Sequence, residues 1–200
     1  MADRYAHYDV LDKRDTPSWN DKTRQVIDAR MSLREADAGI GEARLATLRR
    51  LVSRIAPQPE RHAPANTVAL LAHKIVKDEG EGFRPATLPR LRECWLRGLD
   101  AIEAEAQARH GRAFAGLDAE RADALLRGIE AGETQASDWI ALPARDFWNW
   151  RVIPDIVSMH WSHPSLWSAM GFGGPASPRG YVRLDVNRRD PWEAEEHGDG

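Results

Sequence analysis

From His163 to Tyr181 the chain reads His-Pro-Ser-Leu-Trp-Ser-Ala-Met-Gly-Phe-Gly-Gly-Pro-Ala-Ser-Pro-Arg-Gly-Tyr, a run that no regular helix can carry. Pro164, Pro175 and Pro178 each remove a backbone donor and push the preceding residue toward extended conformations. Gly171, Gly173, Gly174 and Gly180 admit left-handed or close-approach backbone that other residues adopt only at a cost. Yet Trp167, Phe172 and Tyr181 load this irregular run with large apolar area, which must pack on the chain's own helices or on another protein. The remainder of the sequence has to supply a base that presents it.

That base is helical. Leu45, Leu48, Leu51, Val52 and Ile55 recur at three- and four-residue steps, and Pro57 and Pro59 close the pattern. Asn66 caps a second helix with Val68, Leu71, Ala72 and Ile75 inward, fraying at Gly80 and Gly82. Leu88, Leu91, Trp95, Leu99, Ile102 and Ala106 make the longest stripe, with Thr87 as the expected cap and Gly111 as the stop. Asp118 caps a shorter helix through Ala122, Leu125, Leu126 and Ile129, ended by Gly132. Before these, Thr16-Pro17-Ser18 signals the start of a thin amphipathic helix with Trp19, Val26 and Ile27, ending near Met31. Its narrow apolar stripe suits lying across another surface. No strand-length alternation occurs beyond a weak candidate from Tyr181 to Val186. The expectation is an all-α protein: an irregular helical bundle in one domain over residues 1–192, with an extended N-terminal arm at 1–17. An irregular partner-contact segment follows at 163–184, and then an acidic disordered tail at 193–200.

The last helix, from about Pro143 to Trp161, is apolar almost all round. Phe147, Trp150, Val157 and Trp161 line one stripe, Asn149, Ile153, Ile156 and His160 a second, and Trp148, Val152 and Met159 a third. Such a helix is buried on most sides or is covered by a partner where its own domain leaves it bare. Pro154 should kink it and free the carbonyl of Trp150.

Composition removes several function classes. With 28 basic against 31 acidic residues, a net charge of −3 and no massed cationic stretch, nucleic acid is not an expected partner. The one cysteine, Cys94, excludes an internal disulfide and a cysteine-rich zinc site, and a small half-buried apolar role suits it. No apolar run is long enough to span a membrane. The first 30 residues hold no signal-type apolar region, so the expected location is cytoplasmic, with periplasmic co-export alongside a partner, or a removed leader, as the alternative.

Candidate chemistry is sparse. His160 and His163, with Asp155 a little over one turn before His160, offer two imidazoles and a carboxylate for a metal-dependent enzyme, but Pro164 takes His163 out of helical register. Gly171-Phe-Gly-Gly174 lacks the following lysine and helix of a phosphate loop and is followed by Pro175. Glu103 and Glu105 are placed on a solvated helix face, and no serine has a nucleophile-elbow context. No catalytic, cofactor-binding or metal residue is therefore assigned to this chain.

Trp139, Trp148, Trp150, Trp161 and Trp167 crowd into one short stretch, and Trp, Tyr and Arg dominate protein–protein hot spots. The expected function is therefore partner binding, whether as an obligate subunit or as a free-standing helical interaction module. The expected partner-binding residues are Trp19, His163, Pro164, Trp167, Gly171, Phe172, Gly173, Gly174, Pro175, Arg179, Gly180 and Tyr181, with Trp167, Phe172 and Tyr181 as anchors and Arg179 pairing with a partner carboxylate.

These residues also carry a resemblance. His163-Pro164 followed by Trp167, Gly171-Phe172-Gly173-Gly174-Pro175-Ala176, Pro178-Arg179-Gly180-Tyr181, and the Asp155-Ile156 pair resemble the gluconate 2-dehydrogenase subunit 3 family. The stretch 14–30 looks like the N-terminal arm of one branch of it. The resemblance implies a cofactor-free small subunit whose large partner is a flavoprotein of the glucose–methanol–choline (GMC) oxidoreductase class. That partner would hold FAD and oxidise a sugar, sugar acid or glycoside, and a cytochrome c or another acceptor would take the electrons. The small subunit would stabilise, mature or help export the large one.

Overall fold

The computed structural model describes residues 8–59, 63–80, 82–180 and 190–194, and every regular element among them is helical. The α-helices are Asp21–Met31 (α1), Glu42–Ile55 (α2), Thr67–Lys77 (α3), Leu91–His110 (α4), Ala119–Ala131 (α5), Ala144–Phe147 (α6) and Ile153–Trp161 (α7). A π-helical turn over Trp148–Val152 joins α6 to α7, and short 3-10 turns include Val10–Asp15, Phe114–Gly116 and Pro164–Leu166. By their internal contacts the residues divide into two compact units: a helical unit of Leu33–Gln58 and Asn66–His160, and a terminal unit of Met1–Ser32, Pro59–Ala65 and Trp161–Gly200.

In the helical unit the apolar stripes meet as their periodicity requires. Leu48 and Leu51 from α2, Leu71 and Ile75 from α3, Trp95, Leu99 and Ile102 from α4, and Leu125 and Ile129 from α5 are all buried in one core. The ends follow local chemistry. The Asp118 carboxylate accepts from the Arg121 amide at 2.8 Å, and Gly111 and Gly132 close α4 and α5 in the left-handed region at φ 62° and 77°. Asn66 does stand at the start of α3, but its side chain donates to the Leu33 carbonyl at 2.9 Å instead of capping the helix.

Three expectations about ends and faces are corrected. Thr87 does not cap α4, which begins at Leu91 beyond Pro89; its hydroxyl donates to Asp146 at 2.6 Å instead. The stop of α3 is Asp78, a left-handed residue at φ 55°, whose carboxylate also accepts from the Arg92 amide and the Arg90 side chain. Glu103 and Glu105 are not solvation. Glu105 is fully buried and accepts from the amides of Gln135 at 3.0 Å and Ala136 at 2.9 Å and from Arg109 at 2.5 Å, fastening the chain after α5 to α4. Burial opposes its ionisation, but bonds from Ala136, Arg109 and Gln135 outweigh that and hold its carboxyl below the usual carboxylate range. Glu103 accepts from the Phe114 amide at 3.0 Å.

In the terminal unit the N-terminal segment is not an extended arm over its described part. Val10–Asp15 coils as a 3-10 helix whose start is capped by Asp9, and Val10 and Lys13 are buried. The helix signalled at Thr16-Pro17-Ser18 starts later, at Asp21, because the Asn20 side chain accepts from the Thr23 amide at 2.8 Å. Glu193, placed in the tail expected to be disordered, forms an ion pair with Lys13. Residues 195–200 and the strand candidate at 181–186 lie outside the described residues.

Gly98 sits in the middle of α4, where the end of the Phe147 ring occupies the space that a Cβ would need. Trp95 and Trp139 pack on the same ring, with centroids 5.4 Å and 6.0 Å away. Gly98→Ala should gain about 1 kcal/mol of helix propensity and lose more to overpacking, for a net loss of about 2 kcal/mol. Thermal unfolding measures it, and an unchanged or raised Tm would contradict the packing.

Candidate partner interface

The π turn decides which side of the last helix faces out. One extra residue per turn at Trp148–Val152 advances the helical phase, so the stripe joining Phe147 to Trp150 and Val157 does not persist. Phe147, Trp148, Val152 and Ile156 go into the core, while Trp150 (44% exposed), Ile153 (36%) and Val157 (38%) form an outward stripe, with Trp161 also exposed at the end of α7. Phe83 lies against Trp150 with ring centroids 5.4 Å apart and is itself 69% exposed. Isolated exposed apolar residues are ordinary, but a contiguous run with two aromatic rings is the form an interface takes.

Among these apolar groups the inward side of the same helix also holds polar ones. Asp155 is buried, accepting from the Trp95 indole at 2.7 Å and from Lys74 at 2.8 Å. Buried His160 bonds through Nδ1 to the Thr67 hydroxyl at 2.9 Å. Pro154, which has no N–H to give to the Trp150 carbonyl, is compensated by Arg151, whose Nη1 donates to that oxygen at 2.9 Å. Beside Arg151, Cys94 is fully buried, and burial pushes its thiol up to about 11. It is therefore a neutral core thiol, more enclosed than the half-buried role expected of it.

In the terminal unit, His163 caps the 3-10 turn Pro164–Leu166, and its Nδ1 meets the Ser165 hydroxyl at 2.7 Å. Trp167 is 8% exposed and shares a cluster with Val10, Trp19 and Ile27. The Phe172 amide donates to the Trp167 carbonyl at 2.8 Å and its ring meets the indole edge-on at 5.3 Å, so Phe172 stays partly outside at 41% exposure. The glycine run lies against the N-terminal turn: Lys13 donates to the Gly173 carbonyl at 2.9 Å, and a Cβ at Gly174 would come within 3.0 Å of Val10. Gly171 and Gly180 are left-handed, at φ 74° and 70°. Arg179 pairs with the chain's own Asp190 at 2.6 Å and lies over the Trp192 ring, and that indole donates to Ser18 at 2.9 Å. Trp19, Trp167 and Arg179 thus find partners within the terminal unit, Pro164 is buried there, Pro175 is half-buried, and Tyr181 lies outside the described residues.

No three His, Cys, Asp or Glu side chains converge as a metal ligand set among the described residues. Both Asp155 oxygens are engaged by Lys74 and Trp95, and His160 and His163 each bond a neighbouring hydroxyl. Sequence reasoning placed the broad apolar helix but missed Phe83. The one available signal was an aromatic ring in a glycine-rich connection with no stripe of its own.

Two outcomes follow from burial. Trp167→Ala should cost about 3–5 kcal/mol of stability by emptying the terminal cluster, detectable as faster proteolysis near the N-terminus; unchanged proteolysis would contradict the packing. Burial also holds the His160 imidazole below its ordinary value, so the unfolded chain takes up the proton first. That contribution to stability is complete above about pH 6.5 and is lost as pH falls from there through the folded-state value. Tm should drop on acidification across this range, and His160→Gln should flatten the slope.

Residues 42–174 match the family model described as Gluconate 2-dehydrogenase subunit 3. No curated protein and no solved structure matches the chain.

Proposed function

Because the chain belongs to the gluconate 2-dehydrogenase subunit 3 family, we propose that it is the non-catalytic small subunit of an FAD-dependent GMC-type oxidoreductase acting on a sugar, sugar acid or glycoside. A subunit family implies a multi-subunit assembly. In this reading the flavin and the oxidation chemistry belong to the large subunit. The small chain stabilises that subunit, assists its maturation and accompanies it on export, and a cytochrome c is the candidate electron acceptor.

The observation that supports this most is the outward stripe Trp150, Ile153 and Val157 on a helix whose inward side holds Asp155 and His160. Leaving that much aromatic and aliphatic surface in water forgoes roughly 25 cal/mol for each Å² that a partner would cover. Among the described residues no helix is long and apolar enough to cross a membrane. A large apolar-cored protein interface with aromatic anchors fits the stripe.

Ile153→Ser/Val157→Ser tests this. Both side chains point outward, so the variant should fold with stability within about 1 kcal/mol of the parent. When it is co-expressed with the large flavoprotein subunit, the amount of flavin-bearing partner retained on a tag of the small chain should fall about tenfold or more. Retention equal to that of the parent would remove this face from the interface.

A further inference from the structure

Beside the stripe, Phe83, Asn149, Trp150, Arg151 and Pro154 line an open cleft of about 490 Å³. Its lining includes two aromatic residues and a proline, and the cation among its lining residues is Arg151. Arg151 is 5% exposed, and its Nε is buried without a hydrogen-bond partner. Its Nη1 serves the Trp150 carbonyl, and its other polar neighbour is the neutral Cys94 thiol. No ion pair joins it to a carboxylate among the described residues: Asp155, one turn on, is taken by Lys74 and Trp95.

A guanidinium removed from water with no anion against it costs several kcal/mol, and natural cores rarely keep one unless something completes it. Arg presents a planar fork that fits a carboxylate, and the fork is strongest where water is excluded. The exposed stripe runs directly from the cleft, since Trp150 belongs to both. That continuity favours a protein occupant, because a surface docking on Ile153 and Val157 carries its own side chains over Trp150 and into the cleft.

We infer that Arg151 is a partner-binding residue, and that the large subunit inserts an Asp or Glu carboxylate into the cleft beside Phe83 and Trp150 to pair with it. The inference rests on the proposed partner role and adds to it the chemistry of the contact. Trp150 and Phe83 close over the inserted side chain and keep water from the pair. Its recognition is both apolar and ionic, which would make binding here sensitive to salt.

The test uses the full chain and the separately purified large flavoprotein subunit, with affinity measured over a range of salt concentrations. Arg151→Gln keeps a donor for the Trp150 carbonyl and removes the charge. It should bind about 30-fold more weakly or worse and lose most of the salt dependence, with no fall in the Tm of the isolated chain. Arg151→Lys, which keeps charge without the fork, should fall between the two. If Arg151→Gln binds like the parent while Ile153→Ser/Val157→Ser does not bind, the carboxylate contact is wrong and the interface stands. If neither variant changes binding, or the parent itself does not bind, both readings fall. A loss of Tm that accompanies the loss of affinity at unchanged salt dependence would make Arg151 a core group and overturn the inference. Binding of sodium gluconate or acetate to the isolated chain, abolished in Arg151→Gln, would assign the cleft to a small carboxylate and overturn it as well.

Discussion

A single carboxylate fixes the orientation of the last helix. Asp155 receives the indole proton of Trp95 from α4 and the ammonium of Lys74 from α3, so three helices of the helical unit meet at one buried side chain. Breaking such a pair strands a charge in the core and costs about 3–5 kcal/mol. His160 adds a second inward bond to Thr67 at the start of α3. The helix is thereby pinned by its polar side, and what lies opposite is left in solvent.

The segment before it shows how the chain accommodates a proline inside a helix. Pro154 cannot donate to the carbonyl one turn back, and sterics oppose a tight α turn at that point. The backbone widens instead into the π turn Trp148–Val152, within which the Ile153 amide reaches the Trp148 carbonyl, and Arg151 bonds the carbonyl that Pro154 leaves. Widening at this point has two effects. It turns Trp150 outward, away from Phe147, and it leaves the Arg151 side chain lining the cleft. Phe147 meanwhile presses on Gly98, a position that tolerates no larger side chain.

Much of this was legible beforehand. Leucine periodicity located α2 to α5, and Asp118, Gly111 and Gly132 marked ends that the backbone obeys. Pro154 announced a free carbonyl at Trp150. What escaped was whatever depends on contacts distant in sequence. The turn after α5 gives two amides to Glu105, which a helical wheel of α4 alone places in solvent. Asp78 ends α3 in a conformation normally left to glycine, because its carboxylate gains bonds from Arg90 and Arg92 beyond the next turn. In the terminal segment the aromatic and glycine content was evident, but not that Val10, Trp19 and Ile27 would enclose Trp167, since their pairing spans most of the chain. The π turn was hidden for a different reason: one inserted residue shifts every later side chain around the helix, and a strict 3.6-residue wheel carries the wrong phase past it.

The resulting arrangement departs from the usual polarity of a surface helix on both of its sides. Along α6, the π turn and α7, the buried side carries a guanidinium, a carboxylate and an imidazole among Phe147, Trp148, Val152 and Ile156, and the exposed side carries an indole, an isoleucine and a valine. Asp155 and His160 find hydrogen-bonding partners inside, which makes their burial tolerable, whereas the Arg151 Nε finds none. An apolar strip and, at the cleft beside it, a buried cation without a carboxylate are two deficits with one remedy: a partner that brings apolar area to the strip and an anion to the cation. Neither deficit alone would argue strongly, since single exposed valines and single strained arginines occur widely. Their convergence on Trp150, which borders both, is what ties the local chemistry of Pro154 to the role of a subunit.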